Sequence, residues 1–114
     1  MTNINLIAVP GIPDVKMGDD VAKLVAAGVK TAVSILQPGD IIAIAQKIVS
    51  KAEGRTVRLA DVTPGVQALD VAQQTDKDPR LVELILRESE EISRLRQGVL
   101  IVRHRLGFTS ANAG

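Results

Sequence analysis

No cysteine, tryptophan or tyrosine occurs in the 114 residues, Phe108 is the sole aromatic and His104 the sole histidine. Lack of cysteine excludes disulfides, thiolate metal sites and cysteine nucleophiles, and fits a reducing compartment. With one aromatic ring, the core must be assembled from Val, Ile, Leu and Ala, and no platform exists on which nucleic-acid bases could stack. An excess of one charge is missing too: 14 Lys plus Arg face 13 Asp plus Glu, a formal net charge of +1. No broad field therefore draws a phosphate polymer or an acidic membrane surface. No run of about 18 apolar residues is present, and the first residues lack the basic segment and apolar stretch of a signal peptide. These absences lead us to expect a soluble, cytoplasmic protein with neither nucleic acid nor membrane as partner.

What is present suits one domain, or one piece of a larger one, able to bury roughly two-thirds of its unfolded surface. Ile4 to Val9 is a short apolar run closed by Pro10-Gly11 and Pro13, which predicts a buried strand entering a rigid turn. From Asp19, apolar residues at 21, 24, 25, 32, 33 and 36 recur mostly at three- or four-residue steps. They predict an amphipathic helix capped by Asp19 or Asp20 and softened at Gly28. Pro38-Gly39-Asp40 is turn chemistry, and Ile41 to Ala45 predicts a central strand, covered on both faces, that ends at Gln46. Val57 to Leu59 predicts a further short strand.

Thr63-Pro64 and Asp78-Pro79 each pair an N-cap with proline at the first helical position. The first predicts a helix through Ala68, Leu69 and Ala72. The second predicts a helix with Val82, Ile85, Leu86 and Ile92 on its apolar stripe, ended by Gly98. Val99 to Val102 then forms a strand, with Phe108 to Ala111 a last extended segment. The order of elements gives an α/β mixed (α+β) class: a mixed sheet with packed helices.

Ligands of open α/β sheets bind beyond the carboxyl ends of strands, which singles out two segments here. After the central strand, Lys47, Ser50 and Lys51 offer cationic and hydroxyl donors suited to phosphate oxygens; the competing interpretation is a pair of solvated surface lysines. After the first strand, Gly11 to Val15 offers backbone groups on a proline-fixed bend, mainly through its backbone because Ile12, Pro13 and Val15 carry no polar side-chain atoms. An ordinary strand-to-helix connection is the alternative there. No GxxxxGK[ST] loop is present, so a nucleotide site must be of another kind. His104, flanked by Arg103 and Arg105 with no carboxylate or second histidine nearby in sequence, reads as a surface group. Glu88-Ser89-Glu90-Glu91 reads as the solvated outer face of a helix.

Four stretches together resemble the F420-0:gamma-glutamyl ligase family across nearly the whole chain. They are Gly11-Ile12-Pro13 with Gly18-Asp19-Asp20; Ile48 to Arg55, containing VSKAEGR; Asp78 to Ser89, DPRLVELILRES; and Gly107 to Gly114, containing SANAG. The resemblance implies GTP-dependent ligation of L-glutamate to coenzyme F420-0 through an acyl phosphate. It further implies a divalent metal, Mg2+ or Mn2+, with K+ as a further ion, and a homodimer. In the family the GTP site draws on residues matching Ile12, Pro13, Asp14 and Val15, on the pair matching Gln46 and Lys47, and on the lysine matching Lys51. The family's acidic metal ligands lie past the position of Gly114. The chain is thus expected to be the N-terminal portion of the larger ligase fold, 1–114, inactive alone and exposing apolar strand surface at Val99 to Val102. A non-catalytic nucleotide-binding or regulatory module is the alternative, and an interaction module using Arg94, Arg96, Arg103 and Arg105 is a third possibility.

Overall fold

The computed structural model describes residues 2–33 and 35–112. The fold is α+β: the described residues form four α-helices and one three-stranded sheet, distributed over two compact units, residues 1–56 and 57–114. Ala113 and Gly114 of the SANAG stretch lie outside the described residues.

In the first unit, α1 spans Val21–Val33 and α2 spans Gln46–Ala52. Asp20 is the cap of α1: its Oδ1 accepts from the Lys23 backbone N–H at 3.1 Å, leaving Asp19 to another task. Gly28 and Val29 are the buried positions of α1. Gly28 is a point of close approach rather than a soft spot, because a Cβ there would lie 2.7 Å from both Ile12 Cδ1 and Val9 Cγ1.

Two expected strands do not form. Residues 4–9 and 41–45 have no assigned ladder, and all their side chains but Val9 are exposed, Ile4 at 85%, Leu6 at 90% and Ile41 at 92%. The apolar composition was read correctly, but a strand exists only through a partner that takes up its N–H and C=O groups, and among the described residues none pairs with either run. The polar segment after the second run is the helix α2.

The second unit holds a 3-10 turn at Leu59–Asp61, where a strand was expected from Val57, then α3 at Val66–Thr75 and α4 at Pro79–Arg87. Strands β1 (Ser89–Arg96), β2 (Val99–His104) and β3 (Thr109–Ala111) follow, in the order β1-β2-β3. Both pairings are antiparallel, so the described sheet is antiparallel rather than mixed. Asp78 caps α4 as expected, accepting from Arg80 N at 2.9 Å. The cap position of α3 is Gly65, not Thr63. Its N–H is taken up instead by Glu83 Oε2 on α4, at 2.9 Å.

The helix expected to run to Gly98 stops at Arg87, and residues 89–96 are strand. Ile92 and Leu95 are three apart, a helical spacing, yet both pack on the core, because the ladder has irregularities between Ser89 and Glu91 and between Ile92 and Arg94. A bulge adds a residue and shifts the two-residue alternation. The core consists of Ala68, Val71, Ala72, Val82, Ile85, Leu100 and Val102. Leu100 and Val102 are fully buried while Val99 is 39% exposed and Ile101 half-buried, so only one face of β2 presents the apolar surface expected of Val99 to Val102. Gly98 turns the hairpin at φ 74°, and its N–H donates to Thr75 O at 2.8 Å, fixing the turn to the end of α3.

Candidate functional site

The first unit brings the loop after Pro10 against the C-terminal end of α2. Val15 is the buried anchor of the loop, 7% exposed, and the next residue back, Asp14, consequently faces outward. The loop is closed by a turn in which Asp19 Oδ2 accepts from Lys16 N at 2.8 Å and Asp19 N donates to Lys16 O at 3.1 Å. Gly18 N then donates to Ala52 O at 2.9 Å, tying loop to helix. At the helix end, Gly54 takes φ 67°, a backbone conformation that glycine adopts without strain. Arg55 N returns to Ser50 O at 2.9 Å. Side-chain space at Gly54 is filled by Met17, whose Cγ would stand 2.7 Å from an added Cβ.

These constraints converge on one ion pair: Lys51 Nζ donates to Asp14 Oδ1 at 2.7 Å. The hydrogen bond from Lys51 and then its positive charge hold the Asp14 carboxyl below the usual carboxylate range, so it is ionised at neutral pH. Lys51 is 43% and Asp14 80% exposed, so water and solutes reach both groups. Around them is an open pocket of about 410 Å³ lined by Asp14, Val15, Met17, Lys51, Gly54 and Thr56.

The residues singled out from the sequence are therefore brought together only in part. Asp14, Val15 and Lys51 line this pocket. Pro13 lines a second, mostly apolar hollow with Gly11, Leu24 and Gly28, and Ile12 packs over Gly28. Gln46 and Lys47 are exposed in the first turn of α2 and line neither pocket. Lys47 nevertheless stands four residues before Lys51, one turn away on the same helix face. Met17 and Thr56 carried no signal in the sequence. The strand ends that were to position both segments are absent; the loop bond to Ala52 and the helix α2 do this instead.

The other chemistry-bearing groups have structural partners. His104 does have a carboxylate beside it, Glu88 Oε2 at 3.5 Å from Nε2, because the end of α4 and the end of β2 meet there. Its Nδ1 accepts from Leu106 N at 3.0 Å and its ring stacks on Phe108 at 4.5 Å between centroids, making it the pivot of the β2-to-β3 turn. Glu90 and Glu91 lie on β1 rather than a helix, and both pair with Arg103, at 3.3 and 3.6 Å, which divides the proposed basic edge. Among the described residues no group of three or more His, Cys, Asp or Glu is arranged to hold a metal ion. No helix among them is long and apolar enough to cross a membrane.

Comparison with known proteins adds an independent constraint. The family described as F420-0:Gamma-glutamyl ligase matches residues 11–114. A coenzyme F420:L-glutamate ligase of Methanothermobacter thermautotrophicus is 48% identical over 111 residues, covering 97% of this chain and 44% of that protein. The protein of that name in Methanopyrus kandleri is 40% identical over 114 residues, 100% of this chain and 43% of the relative. That of Halobacterium salinarum is 35% identical over 117 residues, 97% and 44%. The chain thus spans less than half the length of the relatives it matches.

Proposed function

The chain belongs to the F420-0:Gamma-glutamyl ligase family, and from that premise we propose that its first unit supplies the phosphate seat for a GTP-dependent ligation of L-glutamate to coenzyme F420-0. Lys51 is the residue that meets the triphosphate. Ile12, Pro13, Asp14 and Val15 shape the approach, and Gln46 and Lys47 stand one turn behind on α2. The observation that carries this proposal is the convergence of Lys51 with the Asp14 loop, at 2.7 Å, around one open pocket.

The chemistry asks for such a seat. A carboxylate oxygen is a poor leaving group, so amide formation proceeds by its attack on the γ-phosphorus of GTP, with GDP departing. The glutamate amine then attacks the acyl carbon, loses its proton, and expels phosphate. An ammonium at the phosphates offsets the negative charge that is redistributed during transfer. The family's divalent metal, Mg2+ or Mn2+, and K+ find no cluster of three ligands among the described residues, so no step is assigned to them here. Their ligands, and the surfaces of a homodimer, belong in this proposal to the part of the relatives that this chain does not span.

Titration of the 114-residue chain with GTP, by calorimetry, tests the assignment. Lys51→Ala removes a charge-assisted hydrogen bond and should weaken GTP binding about tenfold or more. A folded Lys51→Ala chain that binds GTP as the unsubstituted chain does would remove Lys51 from the site.

A further inference from the structure

Lys51 is not waiting empty-handed. Its ammonium already donates to a carboxylate oxygen at 2.7 Å, beside the open pocket that both residues line. We infer that Asp14 is an affinity-setting residue of this pocket: it is the internal anion with which an incoming phosphate competes for Lys51. This rests on the phosphate reading of the same site and deepens it.

The geometry sets the two anions against each other. A phosphate oxygen within hydrogen-bond distance of Lys51 Nζ, roughly 2.8 Å, lies within about 6 Å of Asp14 Oδ1 unless the carboxylate swings away. At that separation two anions repel, and the Lys51 charge cannot fully serve both. Asp14 is free to swing: it is 80% exposed, and its backbone is held by its neighbour Val15 rather than by its own side chain. Three other carboxylates of this unit are engaged elsewhere: Asp19 by Lys16 N, Asp20 as the α1 cap bridging Lys23, and Asp40 by Gln37 N. Asp14 alone among these four carboxylates reaches the pocket lysine.

The consequence is a threshold. A small anion that offers Lys51 one contact gains little by replacing a carboxylate that offers the same contact without loss of translational freedom. A ligand with several phosphates adds contacts elsewhere, for instance toward Lys47 on the same helix face, and can displace it. Asp14 therefore weakens every anion at Lys51, and a polyphosphate has the further contacts to bind despite it.

The test is calorimetric titration of the 114-residue chain with sodium tripolyphosphate and, separately, with orthophosphate. Asp14→Asn keeps the shape and removes the charge; it should tighten tripolyphosphate binding about two- to fivefold and raise the affinity for orthophosphate as well. Asp70→Asn, in the second unit, removes an equal charge where Asp70 Oδ2 accepts from Gln74 Nε2, and should leave both affinities unchanged. In the double variant Asp14→Asn/Lys51→Ala the gain should vanish, because the carboxylate acts through the lysine. If Asp14→Asn binds no tighter than the unsubstituted chain while Lys51→Ala still weakens binding, Asp14 is not the competitor and the phosphate seat stands. If Lys51→Ala has no effect, or neither the unsubstituted nor the Asp14→Asn chain takes up tripolyphosphate, the phosphate reading fails and this inference with it.

Discussion

Gly28→Ala sets two effects of opposite sign against each other at a single atom. In a helix interior the exchange normally stabilises, by about 1 kcal/mol, since alanine loses less backbone entropy. Here the new Cβ would stand 2.7 Å from Ile12 Cδ1 and 2.7 Å from Val9 Cγ1, with Pro10 O at 3.6 Å. Ile12 can withdraw a terminal methyl cheaply. Val9 cannot: its Cγ1 is one bond from a β-branched carbon, and moving it means turning a stiff χ1 or shifting the backbone. Overpacking of this kind costs about 1–3 kcal/mol, so it outweighs the helical gain in most of that range and leaves a net loss of up to about 2 kcal/mol. The two units need not unfold together, so a single global unfolding curve is the wrong assay; amide exchange read within α1 is the right one. Gly28→Ala should speed exchange there, and Val9→Ala/Gly28→Ala should recover protection by removing the obstructing methyl. Slower exchange in Gly28→Ala alone, of the size of an ordinary helical Gly-to-Ala change, would refute the close approach of residues 9–12 to α1.

Two further outcomes follow from particular contacts. Hydrogen bonds from the Arg80 side chain, and then from its backbone, lower the Asp78 carboxyl from its ordinary 3.8 to about 2. A depressed acid stabilises the fold above its unfolded pKa and loses that contribution as pH falls through the folded value. Helicity should therefore decline between about pH 4 and pH 2, and Asp78→Asn should flatten that part of the circular-dichroism titration; an unchanged profile would discount the Asp78–Arg80 pairing, with Glu83, also lowered by Gly65 N and Arg87, supplying the remainder. The 114-residue chain supplied with GTP, a divalent metal, L-glutamate and coenzyme F420-0 should form no amide, whereas a chain continued through the region its relatives carry should turn over; equal rates would move catalysis into residues described here as scaffold.

Much of the second unit could be read from sequence because its signals are local. Asp78-Pro79 marks a helix start by a side chain and a ring whose effects reach only one turn, and Val82 and Ile85 show the stripe directly. Its error, extending α4 through Ile92, arose because Ile92 stands seven residues after Ile85, a helical step, although the helix has ended at Arg87. In the first unit the runs at 4–9 and 41–45 have strand composition, but pairing is a long-range property, and composition does not reveal whether a partner is present. The site was legible as two segments, not as a contact. Lys51 was singled out by its place after the apolar run at 41–45 and again by its family match, whereas its contact with Asp14 was missed because the loop was expected to act through its backbone.

The central claim is that the Lys51 ammonium exchanges Asp14 for a ligand phosphate, and the ammonium itself can be watched. In a chain labelled with 15N at lysine Nζ, GTP should shift the Lys51 resonance, assigned by its loss in Lys51→Ala, and the shift should saturate with the calorimetric binding curve. Lys23, paired with Asp20, and Lys77, in the second unit, should hold still. A Lys51 signal that stays at its ligand-free position when GTP is saturating would contradict the account.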